Sequence, residues 1–200
     1  MKRAFDLLFT IPGLLILLPI FVVIAIWIKI DSPGTIFFRQ ERVGKDGKHF
    51  RIYKFRTMVA NAEQMGPPIT VGDDPRITKA GRVLRKYKLD ELPQLINVVK
   101  GEMSLVGPRP EVPYYVSMYS EEQRLVLSLT PGITDPASIR YKDENKLLAA
   151  ICDRSGDEPE MVYIREVMPE KIRINLEYAA RANVASDFLV IMRTLFGCHR

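Results

Sequence analysis

The sequence predicts an α+β protein that is mostly helical and carries a membrane helix at its N-terminus. Three observations support this prediction. Residues 7–28 contain no charged side chain. Two stretches rich in β-branched and aromatic residues flank a short turn, as in a β-hairpin. Several later segments repeat apolar residues at helical spacing, and some are amphipathic enough to lie at a membrane interface.

The apolar N-terminal segment is long enough to enter a bilayer. As a straight helix, residues 7–28 would extend about 33 Å, which exceeds a hydrocarbon core of about 30 Å. A secretory signal peptide is the alternative, with Lys2 and Arg3 as its basic start. The apolar run is too long for that, and no small-residue cleavage site follows it. We therefore expect a retained membrane segment.

Pro19 lies in the middle of this segment, where the missing N–H and the ring predict a kink. Basic residues favour the cytoplasmic side of a membrane, and here they occur on both flanks of the segment. The residues alone support a kinked span and a re-entrant helix equally. At the start of the helix, Arg3 and Asp6 have the spacing of an ion pair.

The first soluble element is a predicted β-hairpin, with strands at residues 35–40 and 49–56 and a turn at residues 44–47. Because side chains alternate along a strand, Lys54 and Arg56 share one face near its end. Two cations there could bind phosphate. The alternative is a basic strand that faces solvent or lipid headgroups.

The remaining chain is predicted to be helical between turns. A helix over 79–88 begins after Thr78, which can cap it, and the next helix has Pro93 in its first turn. The last helix carries an apolar stripe that suits either a membrane interface or a core. The further predicted helices cover residues 59–65 (stopped at 66–68), 92–99, 111–119, 121–129, 158–168, 171–181 and 186–196.

Asp90 and Glu91 are adjacent acids that follow a basic run containing Arg85. Neighbouring carboxylates resist each other's ionisation unless cations compensate, and the same cations could receive a polyanionic substrate. The alternative is that Asp90 only caps a helix and Glu91 is a surface acid. Arg109 stands between two prolines in a stiff loop, where it could bind phosphate in bidentate fashion or form a salt bridge.

Composition narrows the possible classes of binding partner only modestly. The net charge of +5 suits anionic partners but does not choose among phosphates, nucleic acid and acidic lipid. Cys152 and Cys198 are far apart, and with only two histidines, His49 and His199, no zinc pattern can be assembled.

A series of motifs is far more specific than any of these features alone. The chain resembles the monotopic phosphoglycosyl transferases, the bacterial sugar transferase family, in a set of stretches that occur in the family's order. They are KFRTM at 54–58, DPRITK at 74–79, LDELPQ at 89–94, NV at 97–98, GEMSLVGPRP at 101–110 and PGIT at 131–134.

The resemblance implies a reaction. A nucleoside diphosphate sugar, usually a UDP-sugar, gives its sugar phosphate to undecaprenyl phosphate, and a nucleoside monophosphate leaves. It implies that Asp90 is the nucleophile and that Glu91 associates with Mg²⁺. It also implies that Arg85 and Arg109, and more weakly Lys54 and Arg56, lie near the phosphates.

The resemblance also implies a location at the bacterial inner membrane. A re-entrant membrane helix over residues 1–30, broken at Pro19, would precede a cytosolic catalytic domain over residues 31–200. The partners would be the sugar nucleotide, the lipid phosphate and membrane lipid, without nucleic acid. The amphipathic helices leave a homodimer open.

The chain departs from the family pattern at two places. Leu18 precedes Pro19 where the family often has Ser, so a hydroxyl that could satisfy freed backbone groups is missing. Residues 135–141 replace a family loop linked to nucleotide recognition, and whether Arg140 takes the place of the usual Arg stays open. Two other functions remain as alternatives: a membrane-anchored protein that binds anionic lipid, and a polyprenyl-phosphate phosphatase.

Overall fold

The computed structural model describes residues 2–62, 65 and 74–197, and it confirms the α+β, mostly helical fold. The predicted helix over 59–65, with its stop at 66–68, lies largely outside the described residues. The helices are α1 (Lys2–Asp31), α2 (Lys79–Lys86), α3 (Gln94–Lys100), α4 (Pro113–Ser117), α5 (Glu121–Arg124), α6 (Pro136–Arg140), α7 (Glu144–Ser155), α8 (Pro159–Val162), α9 (Met168–Ala179) and α10 (Val184–Phe196). The strands are β1 (Phe37–Val43), β2 (His49–Phe55), β3 (Ser104–Val106) and β4 (Gly132–Thr134).

Helix α1 is long and apolar enough to cross a membrane, and it alone meets this test in the described chain. Both of its ends contact the rest of the protein. Near the start, Asp6 is buried and accepts hydrogen bonds from the Ser104 hydroxyl at 3.0 Å and the Leu105 amide at 3.1 Å. At the end, Asp31 accepts from the Ala80 amide at 2.9 Å. The two ends of the membrane helix therefore dock on one body.

The middle of α1 exposes its apolar side chains, and Pro12 and Pro19 both lie inside the helix. Helix α1 thus continues through Pro19 rather than ending there, and the re-entrant arrangement stays a prediction. The predicted Arg3–Asp6 pair does not form. Arg3 instead donates to the carbonyls of Val98 and Val99, at the end of α3, the latter at 2.7 Å.

The predicted hairpin is confirmed as an antiparallel pair, in which Phe37 lies opposite Phe55 and Val43 opposite His49. Thr78 caps α2 as expected, accepting from the Gly81 amide at 3.0 Å. Gly81 also permits close packing, because a Cβ there would lie 2.0 Å from the Thr57 carbonyl oxygen. Helix α2 is thereby held against the chain that leaves β2.

One strand pair and the helices α6 and α7 have no counterpart among the predictions. Strands β3 and β4, each three residues long, form a parallel pair in which Ser104 lies opposite Gly132 and Val106 opposite Thr134. Residues 131–136 were expected to form only a loop. A strand this short carries too few positions for a visible period of two.

The apolar interior is divided into clusters rather than gathered in one core. The cluster beside the membrane helix contains Ile24 and Ile28 of α1 with Phe55 and Leu84, and Leu89 packs against it. A second cluster joins Ile52, Val98 and Met103 beneath the hairpin. The largest lies among α4, α7, α8 and α9. The turn that carries Asp90 and Glu91 follows α2 and precedes α3, so it lies between elements of the first two clusters.

Candidate active site

Asp90 and Glu91 lie on a tight turn between two helices. Helix α2 ends at Lys86, Lys88 adopts a left-handed conformation (φ 54°, ψ 25°), and a 3₁₀ turn covers Leu89–Glu91. Pro93 is the N-cap of α3. Asp90 therefore does not cap that helix. A left-handed non-glycine residue costs about 1–2 kcal/mol, and such positions recur at functional sites.

Glu91 is the centre of a cationic cluster rather than a surface acid. Its Oε1 accepts from Lys54 Nζ at 2.9 Å, and Arg109 donates to both carboxylate oxygens, to Oε2 at 3.1 Å. Its side chain is 19% exposed. Burial by itself would raise the pKa of Glu91, but attraction by Arg109 and Lys54 outweighs burial and holds that pKa well below its usual range. Glu91 is therefore an anion at neutral pH.

Asp90 has a different environment from its neighbour. Within the described part of the chain its carboxylate makes no ion pair and no hydrogen bond to another side chain. Burial, and next the charge of Glu91, raise the pKa of Asp90, while Lys54 and Arg85 act in the opposite direction. Asp90 is thus a half-buried carboxylate that is not held by a cation.

The arginines reach this turn from different parts of the fold. Arg85, in the last turn of α2, donates from Nε to the Thr57 hydroxyl at 2.9 Å, and its charge acts on Asp90. Arg109 belongs to the loop after β3. That loop is held closely, because the Gly132 amide donates to the Pro108 carbonyl at 3.0 Å and a Cβ on Gly132 would lie 2.1 Å from the Gly107 nitrogen.

The structure brings together five of the predicted site residues: Lys54, Arg85, Asp90, Glu91 and Arg109. Arg56 lies elsewhere. Its guanidinium donates to the carbonyl of Pro33 at 2.7 Å and to the carbonyl of Ser32 at 2.7 Å. Only 7% of Arg56 is exposed. These contacts hold the chain that leaves the membrane helix against the end of β2, and they leave the guanidinium little access to a phosphate.

Sequence reasoning missed two residues beside the site. Thr57 orients Arg85, as described above. Arg42, in β1, donates from NH1 to the Pro110 carbonyl at 3.0 Å, next to Arg109. The hairpin pattern contained a signal for Arg42. Residues that lie opposite each other in a hairpin share a face, and residue 42 lies opposite residue 50. Because residues 50, 52 and 54 point the same way along β2, Arg42 lies on the same face as Lys54.

The fold and site define a protein whose N-terminal apolar helix packs on the folded domain, which presents two adjacent carboxylates among half-buried cations. The chain belongs to the bacterial sugar transferase family, whose model matches residues 1–200. This confirms the resemblance found in the motifs.

Curated relatives are similar over much of the chain. A putative undecaprenyl-phosphate N-acetylgalactosaminyl 1-phosphate transferase of Bacillus subtilis is 41% identical over 150 residues, which cover 72% of this chain and 80% of the relative. A UDP-N-acetylgalactosamine-undecaprenyl-phosphate N-acetylgalactosaminephosphotransferase of Aeromonas hydrophila is 45% identical over 141 residues, 69% of this chain and 33% of that protein. A UDP-glucose:undecaprenyl-phosphate glucose-1-phosphate transferase of Escherichia coli is 35% identical over 200 residues, 98% of this chain and 39% of that protein. The chain thus spans well under half the length of the latter two.

Proposed function

We propose that the protein transfers a sugar 1-phosphate from a nucleoside diphosphate sugar, a UDP-sugar in the first instance, to undecaprenyl phosphate and releases a nucleoside monophosphate. The names of the relatives support a transfer of this class. The observation that carries the proposal is the asymmetry of the acid pair. Lys54 and Arg109 hold both oxygens of Glu91, whereas the carboxylate of Asp90 is acted on by the charges of Lys54 and Arg85 but has no side-chain partner among the described residues.

Asp90 is the nucleophile in this proposal. One carboxylate oxygen attacks the phosphorus that bears the sugar, the bond from that phosphorus to the nucleoside monophosphate breaks, and a phosphosugar-aspartate forms. A phosphate oxygen of undecaprenyl phosphate then attacks the same phosphorus and releases Asp90. Two displacements of this kind spare the two polyanionic substrates from meeting directly. Burial raises the pKa of Asp90, which makes the ionised carboxylate a better nucleophile than an exposed one.

The cations supply the charge neutralisation on which phosphoryl transfer depends. Arg109 and Lys54 both contact Glu91, and Arg85 acts on Asp90 from the other side. A diphosphate bound at the pair would compete with Glu91 for the same guanidinium and ammonium groups. Arg109 offers a planar fork that fits two phosphate oxygens, which a lysine cannot do.

Mg²⁺ fits the residues present. The described residues contain no group of three or more His, Cys, Asp or Glu that could hold a metal. Mg²⁺ does not need one, because it is commonly held by one or two carboxylates together with substrate phosphates. Glu91 is the carboxylate that would hold it, next to Asp90, once the substrate phosphates draw Lys54 or Arg109 away from the Glu91 oxygens. Bound there, Mg²⁺ would neutralise charge on the phosphate oxygens.

We also propose that both ends of α1 face the cytoplasm, so that the site opens at the inner leaflet of the bacterial inner membrane. A helix that crosses the bilayer separates its ends by about 30 Å of hydrocarbon. Here Asp6 and Asp31, 25 positions apart, both bond to the same folded body. Basic residues on both flanks favour the same side.

The direct test is a panel of sugar nucleotides incubated with undecaprenyl phosphate, with and without Mg²⁺, in which release of nucleoside monophosphate is measured. We expect release with one or more donors, and retention of labelled sugar phosphate on the protein when the lipid is omitted. Asp90→Asn should abolish both. Asp46→Asn, an exposed acid in the hairpin turn, is the matched control and should retain them.

Three outcomes would count against the proposal. Release of inorganic phosphate from the lipid, without sugar on it, would indicate the phosphatase. Full activity of Asp90→Asn would reject the nucleophile, and absence of any turnover together with binding to anionic vesicles would indicate the lipid-binding protein.

A further inference from the structure

We propose that Arg42 is a positioning residue that fixes the Arg109 loop, so that the Arg109 guanidinium meets the phosphates in one orientation. The inference rests on the proposed function, because it assigns Arg42 an effect on the group that would bind the sugar nucleotide. Arg42 lies in β1, 67 positions before Arg109 in the chain, and nothing in the motif series singles it out.

The end of β1 holds the backbone just after Arg109 at two successive residues. Arg42 NH1 donates to the Pro110 carbonyl at 3.0 Å. The Val43 amide donates to the Glu111 carbonyl at 2.9 Å. The other end of the Arg42 guanidinium is also held, because NH2 donates to the Gln40 side-chain oxygen at 2.6 Å. Two held carbonyls in consecutive residues fix the backbone from which the Arg109 side chain projects, and Glu91 holds the guanidinium at its far end.

The same loop is held from the opposite side by the helical part of the chain. The Tyr163 hydroxyl donates to Glu111 Oε1, and Arg42 NH1 lies 3.8 Å from Glu111 Oε2. Tyr163 is 5% exposed and begins a π-helical turn, Tyr163–Val167. Such turns change the direction of side chains within a helix and are frequent at functional sites. Arg42, Glu111 and Tyr163 therefore form a buried connection from the hairpin through the Arg109 loop to the helices.

The position of Arg42 is costly for a residue with no role at the site. Its side chain is only 16% exposed, and its Nε is buried with no hydrogen-bond partner in the described structure. Burial lowers the pKa of Arg42; attraction by Glu111 raises it in part, and repulsion from Arg109 lowers it further. Buried polar groups are normally satisfied, and exceptions are concentrated where geometry serves function.

The test is a double-mutant cycle between Arg42 and Arg109, read on release of nucleoside monophosphate in nanodiscs. Arg42→Met removes the charge and the donors but keeps an unbranched apolar stem. A misplacement of about 1 Å at a reacting centre can cost about 100-fold. We expect Arg42→Met to lower kcat/KM for the sugar nucleotide about 10-fold to 100-fold. In the Arg109→Ala background, Arg42→Met should lower kcat/KM less than about threefold, because the guanidinium that Arg42 positions is already absent.

Arg39→Met is the matched control. Arg39 is exposed, lies three residues earlier on the same strand and faces the opposite side, where its guanidinium is 4.3 Å from the centre of the Tyr53 ring. It should change kcat/KM less than about threefold in either background, since surface substitutions act only weakly. The thermal midpoint of every variant is measured alongside, because a purely structural role of Arg42 would lower the midpoint and add its full loss in both backgrounds.

Tyr163→Phe covers the case in which Arg42→Met fails to fold. It removes one hydroxyl and keeps the ring. It should lower kcat/KM in the wild-type background but not in the Arg109→Ala background. Additive losses in these cycles, with an active wild-type protein, would overturn the positioning role and leave the proposed function standing. An inactive wild-type protein would reject the proposed function and this inference with it.

Discussion

Replacing Glu91 and replacing Asp90 by the corresponding amides should have different effects on the free energy of unfolding. Glu91→Gln removes the charge that Lys54 and Arg109 share, and leaves both cations facing a neutral amide. Removing one partner from a buried ion pair costs about 3–5 kcal/mol, because the remaining charge is uncompensated. The Arg109 side chain is 31% exposed, so water relieves part of this cost. We expect a loss of about 3 kcal/mol.

Asp90→Asn should behave differently, although it changes the adjacent residue in the same way. The Asp90 carboxylate has no cation partner to lose within the described structure, and both burial and Glu91 disfavour its charge. Its removal should leave stability unchanged or raise it by up to about 1 kcal/mol. For a chain of about 200 residues, 1 kcal/mol corresponds to about 2–4 °C in the midpoint.

Thermal unfolding in detergent, followed by intrinsic fluorescence, can measure both variants side by side. We expect Glu91→Gln to lower the midpoint by about 6–12 °C, and Asp90→Asn to leave it unchanged or raise it by up to about 4 °C. Both variants should lose activity, so activity alone does not distinguish them. Equal shifts of the two midpoints, or a stable Glu91→Gln, would refute the assignment of different environments to the two acids.

Two further predictions concern pH and topology. Because the pKa of Asp90 is raised and that of Glu91 is held well below its usual range, kcat/KM should fall on acidification before the fold weakens. The stabilisation from Glu91 is present above its unfolded pKa of about 4.3 and is lost only as the pH falls through its lower folded pKa. Profiles of kcat/KM and of the thermal midpoint against pH check this, and a joint decline would contradict it. For topology, a cysteine introduced at Lys2 should resist a membrane-impermeant thiol reagent in intact cells and react after lysis, whereas labelling from outside would exclude the re-entrant arrangement.

Local chemistry in the sequence predicts much of the fold. The charge-free run at residues 7–28, the hairpin with its turn, and the Thr78 cap all follow from interactions between near neighbours, and the structure confirms each of them. Element ends differ by a few residues, as for α2, which stops at Lys86 rather than Lys88. The helices over 136–155 and the β3–β4 pair were not predicted, since short elements carry little periodicity.

The candidate site was harder to predict, because its contacts are distant in sequence. The acid pair and Arg109 were chosen from local features and then from motifs, but the ion pair between Lys54 and Glu91 joins residues 37 positions apart. Arg56 shows the opposite error. The alternation of the strand placed it on the face of Lys54, and nothing local showed that the carbonyls of Ser32 and Pro33 would occupy its guanidinium. Which cation meets which anion is decided by tertiary packing.

The cluster that joins the membrane helix to the acid turn has a consequence for how the protein can be handled. Ile24 and Ile28 of α1 pack with Phe55 and Leu84, and Leu89 packs against the same cluster immediately before Asp90. Deleting α1 to obtain a water-soluble protein would therefore open one wall of the cluster on which the Asp90 turn rests. Helix α1 is part of the scaffold of the candidate site, and a truncated chain that begins after Asp31 should lose the geometry of Asp90 together with its attachment to the bilayer.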